Sequence, residues 1–284
     1  MSQSTSPAAT AADASDARPV GVAFVRTPVA PLNAEPRVSS AQVSQRLAGH
    51  PVYVLEERDD WLRVRGLDAY EGWVHRGYLM HIPEHGVVVR MESTEEFALT
   101  YVPRVSLGAR VRGERSGRRS LPLGAWLDLD EEVESGDAIR LDALGGRFPA
   151  HPDAIIQSAV SYFEGTRYEW GGITPWGADC SGFVQSVFAL HDVPLPRDAW
   201  QQALEGADAG SELARVQPAD LLFFSERADR RITHVGIALG GMRMVHLALG
   251  RGGYSVERLG EVEDEYVRAL VGRFVGARRV AEGR

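Results

Sequence analysis

The 284-residue chain is 44% hydrophobic and carries 31 basic against 39 acidic residues, a formal net charge of −8. That balance suits ordinary globular domains and argues against nucleic acid or an anionic membrane as the main partner. All the basic residues are arginines, which excludes a Walker-type phosphate loop, a Schiff-base lysine and a Ser-Lys dyad. Residues 1–17 are mostly Ala, Ser, Thr and Asp, with neither a basic start nor an apolar middle. They read as a disordered tail rather than a secretory signal, and no stretch reaches transmembrane length. Residues 18–82 hold short apolar runs at Pro51–Leu55, Trp61–Arg65 and Gly72–His75, spaced as in a small β-barrel, with Val38–Leu47 as a short helical insertion. A second β-rich block, 83–148, contains the runs Val87–Arg90, Phe97–Val102 and Ala125–Leu129. Gly145-Gly-Arg-Phe-Pro149 then marks a boundary. From 149 to 284 the pattern predicts helices at Pro152–Phe163 and after Asp179. Strands at Asp220–Phe224, Thr233–Leu239, Met242–Leu249 and Tyr266–Phe274 follow, an α+β order.

Cys180 is the only cysteine, so no internal disulfide is available and the thiol is either packing or a nucleophile. Asp179 has the character of a helix N-cap, and apolar residues at 183, 184, 187, 188 and 190 follow at helical spacing. A thiol in the first turn of a helix meets unpaired N–H groups and the positive dipole end, which favour thiolate.

Such a nucleophile needs a base and a group that orients the base. His234 and His246 lie on adjacent predicted strands of the same region. If Gly240-Gly241 formed a two-residue loop, His246 would point to the face opposite His234. A three-residue loop, Leu239–Gly241, makes the two direct cross-strand neighbours. A catalytic pair therefore requires an odd register or a bulge here. The other six histidines (His50, His75, His81, His85, His151 and His191) have no such company.

The segments Tyr168-Glu-Trp-Gly-Gly172, Asp179-Cys-Ser-Gly-Phe-Val-Gln185, Leu195-Pro-Arg-Asp198, Pro218–Phe224 and Thr233-His-Val-Gly-Ile237 resemble, in order, an NlpC/P60 cysteine peptidase. Asp68-Ala-Tyr-Glu-Gly-Trp-Val74 is similar to a run of bacterial SH3 domains, with Ala69 where glycine is usual. The resemblance implies a papain-like domain after two small SH3-like β-barrels. It also implies a catalytic set of Cys180, His234 and His246, with Tyr168 near the oxyanion. SH3-like domains ahead of NlpC/P60, with no signal peptide, resemble cytoplasmic recycling enzymes that cut γ-D-glutamyl-L-diamino acid bonds. On that resemblance Glu35, Tyr70, Asp179 and Ser181 would bind the free amine of an N-terminal L-alanine, an unpaired Asp179 or Glu35 giving the specificity. The implied partners are tri- and tetrapeptides from peptidoglycan, L-Ala-γ-D-Glu-diamino acid, with no cofactor and no metal. Four rivals remain: a zinc hydrolase ligated by Cys180, His234 and His246; a non-catalytic wall-binding protein; an amidase or acyltransferase; and, within the enzyme class, an exported hydrolase of intact wall. A helix-N-terminal Cys suits nucleophilic work better than zinc ligation.

Overall fold

A computed structural model describes residues 17–80, 90–91, 97–98, 102–261 and 263–281. The expected tail, apart from Ala17, and the run Val87–Val89 lie outside the described residues.

The first unit is one antiparallel sheet of β1 (Gly21–Val25), β2 (Val29–Asn33), β3 (Gln42–Leu47), β4 (Pro51–Arg58), β5 (Trp61–Arg65), β6 (Glu71–His75) and β7 (Leu79–Met80). The strands run in the order β3-β2-β6-β5-β4-β1-β7, with no pairing recorded between the two ends among the described residues. The strict alternation of β5 buries Leu62 and Val64 against Leu32, Val54 and Val74, the period-2 pattern of a sheet with one face inward. The expected helix at Val38–Leu47 is absent. Gln42–Leu47 is instead strand β3, zipped to β2 from Val29↔Leu47 to Leu32↔Ser44. Cross-strand pairing outweighs a weak local helical pattern here.

The middle block is not one continuous sheet. A two-stranded ladder joins β8 (Arg90–Met91) to β9 (Phe97–Ala98). Next come β10 (Arg104–Ser106), β11 (Arg110–Gly113), β12 (Gly117–Ser120), β13 (Glu132–Ser135) and β14 (Ala138–Arg140). Here β10 pairs with β14, and β11 lies between β12 and β13. Ala125–Leu129 is not a strand. Trp126 makes a single bridge to Val105 and donates its N–H to the Ala48 carbonyl at 2.8 Å. Ala125 and Leu127 pack with Leu47, Ala48 and Ile173, so this apolar run serves as the seam between the units either side. The Gly-Gly break expected near 149 is a single helical turn, α1 (Leu144–Arg147), after which Phe148 enters the core of the last unit.

That unit begins with α2 (Pro152–Phe163), whose Pro sits at the helix start where no N–H is missed. A short hairpin of β15 (Ile173–Thr174) and β16 (Gly177–Ala178) leads into α3 (Cys180–Leu190), and α4 (Ala199–Gln202) follows. The main sheet comprises β17 (Ala207–Gly210), β18 (Leu221–Phe224), β19 (His234–Gly240), β20 (Arg243–Ala248), β21 (Gly253–Arg258) and β22 (Phe274–Arg279). Helix α5 (Glu265–Gly272) lies between the last two. The strand order is β17-β22-β18-β19-β20-β21, antiparallel throughout. Phe223, Val235, Ile237 and Val245 face Phe163 and Phe183 of α2 and α3. Leu222, Ala238 and Met244 face Leu270 of α5. The sheet is covered on both sides, which is why β18 is apolar at every position. Tyr266–Phe274, expected as a strand, is mostly α5. Asp264 caps it by accepting from the N–H groups of Tyr266 and Val267 at 2.8 and 3.1 Å, and the strand starts only at Phe274.

Candidate active site

Cys180 is the first residue of α3, and Asp179 is its N-cap, accepting from the Gly182 N–H at 2.8 Å. The thiol is buried and lies against β19; the N–H groups of Val235 on β19 and Ser181 on α3 can donate to its sulfur. Burial pushes the thiol up to about 12, and the Asp179 carboxylate adds to this. The two N–H groups and Arg197 pull the other way. The helix N-terminus thus acts in the expected direction but does not win, because burial and Asp179 outweigh it.

The two histidines meet through a bulge. Register runs Ile237↔Val245 and Ala238↔Met244, then shifts to Gly240↔Arg243, leaving Leu239 as the extra residue. The loop is Gly241–Met242, with φ of +59° and +58°, the pair of positive values a tight hairpin needs. The expected loop of Leu239–Gly241 is therefore replaced by a shorter loop plus a bulge. His234 and His246 share a face as diagonal rather than direct neighbours. Gly236 lies across from His246, where a Cβ would come within 3.1 Å of the His246 Cβ. The same Cβ would come within 2.5 Å of Met244 Sδ, so the missing side chain makes room chiefly for Met244 and, beside it, for the start of the His246 side chain. His234 Nε2 and His246 Nδ1 are 2.8 Å apart, with ring centroids at 5.0 Å. These two nitrogens engage each other rather than converging on a common point, which disfavours the zinc reading. Burial, reinforced by His246, pushes His234 down to about 3.

Beyond His246 the chain of contacts continues to residues not singled out from sequence. His246 Nε2 lies 3.4 Å from Glu257 Oε1 on β21, and Arg251 grips both Glu257 oxygens at 2.8 and 2.9 Å. The alternation of Gly253–Arg258 after a Gly-Gly turn was the available signal. It marks a third strand with Ser255 and Glu257 on one face.

Tyr168 joins the site through a bridge to Ala178, two residues before the thiol. Burial pushes its hydroxyl well above the usual phenol range, and a thiolate at Cys180 would push it further, so it stays a donor. Asp179 and Ser181 are present but committed. Asp179 accepts from Arg197 at 3.0 and 2.6 Å and from the Gly171 N–H at 2.9 Å. Ser181 Oγ bonds Asp179 and accepts from Arg197. The premise of an unpaired Asp179 does not hold. Glu35 pairs with Arg37 at 2.9 Å, is about 59% exposed, and its recorded contacts stay within its own loop. Tyr70 does reach across, its hydroxyl 3.4 Å from Asp198 Oδ1. Burial keeps it protonated by raising it above the usual phenol range, with Asp198 adding to the rise. The first unit is docked here by further bonds: Gln45 to Glu169 and to the Ile173 N–H, Arg197 to Ser44, and Gln185 to Asp68.

The comparisons agree with this architecture. Residues 165–271 match the NlpC/P60 family and residues 21–80 the bacterial SH3 domain. The chain is 30% identical over 248 residues to the gamma-D-glutamyl-L-lysine dipeptidyl-peptidase of Bacillus subtilis, covering 80% of this chain and 78% of that one. It is 27% identical to dipeptidyl-peptidase 6 of Lysinibacillus sphaericus over 87% of this chain and 95% of that protein. The crystal structure of an NlpC/P60 family protein from Bacillus cereus superposes with a TM-score of 0.72. It is 18% identical and covers 92% of this chain and all of that one, a likeness of fold. The chain belongs to the NlpC/P60 family of cysteine-type hydrolases, with a bacterial SH3 domain ahead of the peptidase domain.

Proposed function

We propose that this cell-wall peptidase hydrolyses the bond between γ-D-glutamate and an L-diamino acid in peptidoglycan-derived tri- and tetrapeptides whose N-terminal L-alanine is free. On this reading it works in cell-wall recycling in the cytoplasm. The observation that carries the reading is Tyr70 of the SH3 domain against Asp198 of the peptidase domain, beside the nucleophile helix. A domain docked there closes one end of the groove, so only a short N-terminal stub fits on that side of the scissile bond. The names of the two relatives, both dipeptidyl-peptidases, support the same length restriction.

Cys180 attacks the γ-carbonyl carbon and passes its proton to His234, whose other nitrogen is held by His246. The Cys180 N–H, at the first helical position, and the Tyr168 hydroxyl stabilise the oxyanion. Collapse breaks the amide bond, the departing amine takes the proton from His234, and a thioester remains. Water, deprotonated by His234, hydrolyses it to release L-Ala-D-Glu and restore the thiol. The ammonium of L-alanine is received by Asp198 and the Tyr70 hydroxyl. Asp198 is half-buried, desolvation raises its pKa, and it accepts from Tyr70, Trp200 and, in the α4 capping box, the Gln201 N–H; of the roughly four lone-pair sites of a carboxylate this leaves one for an ammonium. Asp179 and Ser181 shape this end through Arg197. Glu35 contributes long-range attraction only.

Hydrolysis of L-Ala-γ-D-Glu-diaminopimelate, with and without N-acetylation, tests the reading. Cleavage of the free-amine peptide alone, lost in Cys180→Ala, is the expected result. Equal cleavage of both peptides would remove the amine gate, and cleavage of polymeric wall alone would favour an exported hydrolase.

A further inference from the structure

We propose that Glu257 is a positioning residue for the thiol chemistry, fixing the direction of the hydrogen-bond chain through His246 and His234 so that the bare nitrogen of His234 faces Cys180. This rests on reading Cys180 as the nucleophile and His234 as its base.

Two linked imidazoles can be protonated in either direction, and only one direction leaves a base for the thiol. His246 is fully buried and touches His234 through Nδ1 and Glu257 through Nε2. An ionised carboxylate can only accept, so the proton must sit on Nε2 of His246. A neutral ring then has Nδ1 bare, and Nδ1 must accept from His234 Nε2–H. That leaves His234 Nδ1 unprotonated. With the chain reversed, the proton would occupy Nδ1 of His234 and the base would be gone.

The surroundings keep Glu257 an acceptor. Its side chain is 5% exposed, and it takes hydrogen bonds from Arg251 Nε and Nη2 and from Ser255 Oγ at 2.6 Å. Burial opposes its ionisation, but the bonds from His246, Arg251 and Ser255 hold it below the usual carboxylate range. Arg251 is itself anchored, bonding Asp264 at the start of α5 at 2.9 Å and lying 4.2 Å over the Tyr266 ring. Other charged or titratable groups around the relay are Arg273 and Glu226 beyond Tyr266. Cys180, Asp179 and Arg197 lie on the α3 side. None of these offers His246 Nε2 another acceptor among the described contacts.

The single cysteine allows a test that needs no substrate. Carboxamidomethylation of Cys180 by iodoacetamide is followed between about pH 5 and about pH 9 in wild type and Glu257→Gln. An amide can donate to or accept from His246, so the variant keeps shape and loses direction. The neutral-pH rate should fall about tenfold, because the imidazolium form of His234 loses the distant anion that favours it. Nitrogen-15 spectra of the histidines in Cys180→Ala should show Nε2–H on both rings, and mixed tautomers once Glu257→Gln is added. With L-Ala-γ-D-Glu-diaminopimelate, kcat falls while KM holds, and the acid limb of kcat moves to lower pH. A merely structural glutamate would lower the unfolding midpoint without moving tautomers or the limb. Alkylation within about twofold of wild type, or an Nδ1–H on His234 in the otherwise unaltered Cys180→Ala protein, overturns the proposal. The second result stands even where Glu257→Gln fails to fold. Failure to cleave the peptide, with the alkylation effect intact, would instead sink the substrate assignment and leave Glu257 its role.

Discussion

Two polar networks flank Cys180, and they are built on opposite principles. On the α3 side, Arg197 and Asp179 form a bidentate pair with side chains 1% and 8% exposed, closed off by Ser181 and two backbone N–H groups. On the β19 side, His234 Nε2 and His246 Nδ1 share one proton position between them, and the proposed relay leaves the far nitrogen of His234 for the thiol. Acceptors filled by the chain itself make scaffold. An acceptor left open inside an otherwise satisfied network makes chemistry. Asp179 has the residue type of a ligand, yet its bonds make it a brace.

The largest effect that would break this comparison is Cys180→Ala. Peptide hydrolysis should fall by about four orders of magnitude with the fold retained, since the network at Asp179 does not use the sulfur. Next is Arg197→Met, which strands a buried carboxylate. It should cost about 3–5 kcal/mol in urea unfolding, the penalty of one partner left unpaired. Should it leave stability within about 1 kcal/mol, Asp179 is not the brace described. Tyr168→Phe follows, with kcat down about a hundredfold, KM unchanged and stability unaltered, as for removal of one oxyanion donor.

A smaller effect sharpens the histidine side. Burial pushes His234 down to about 3 and His50 down to about 4, both below the unfolded value near 6.5. Above about pH 6.5 neither contributes to the pH dependence. As pH falls below that, the unfolded chain binds protons first. Stability then declines until each folded pKa is passed. Thermal unfolding at stepped pH should show this slope, and His50→Gln should make it shallower between about pH 6.5 and about pH 4. The smallest expected effect is none: Glu212→Ala, losing an exposed pair with Arg215, should leave the unfolding midpoint in place.

How much of this was legible follows the range of the interaction. The α2 helix and the Asp179 cap are local, and their residues announce them. The need for an irregular hairpin between the histidines could also be argued, because parity is a property of sequence. Its form could not, since whether Leu239 enters a loop or a bulge depends on how β19 and β20 pack between two layers. Val38–Leu47 and Ala125–Leu129 were misread for a related reason: their partners, β2 in one case and the seam with Ile173 in the other, lie elsewhere in the fold. The Arg197 bonds that occupy Asp179 come from 18 residues on, so they are not legible in the local run around the thiol. Glu257 went unseen because its strand was not identified.

The extra residue at Leu239 also bears on how such a protein can vary through time. Side chains alternate along a strand, so gain or loss of one residue between 234 and 246 would turn one histidine to the other side of the sheet. Variation in the length of this hairpin that preserves the histidine contact should come in steps of two. A position with no part in the proposed chemistry thereby constrains which relatives can exist.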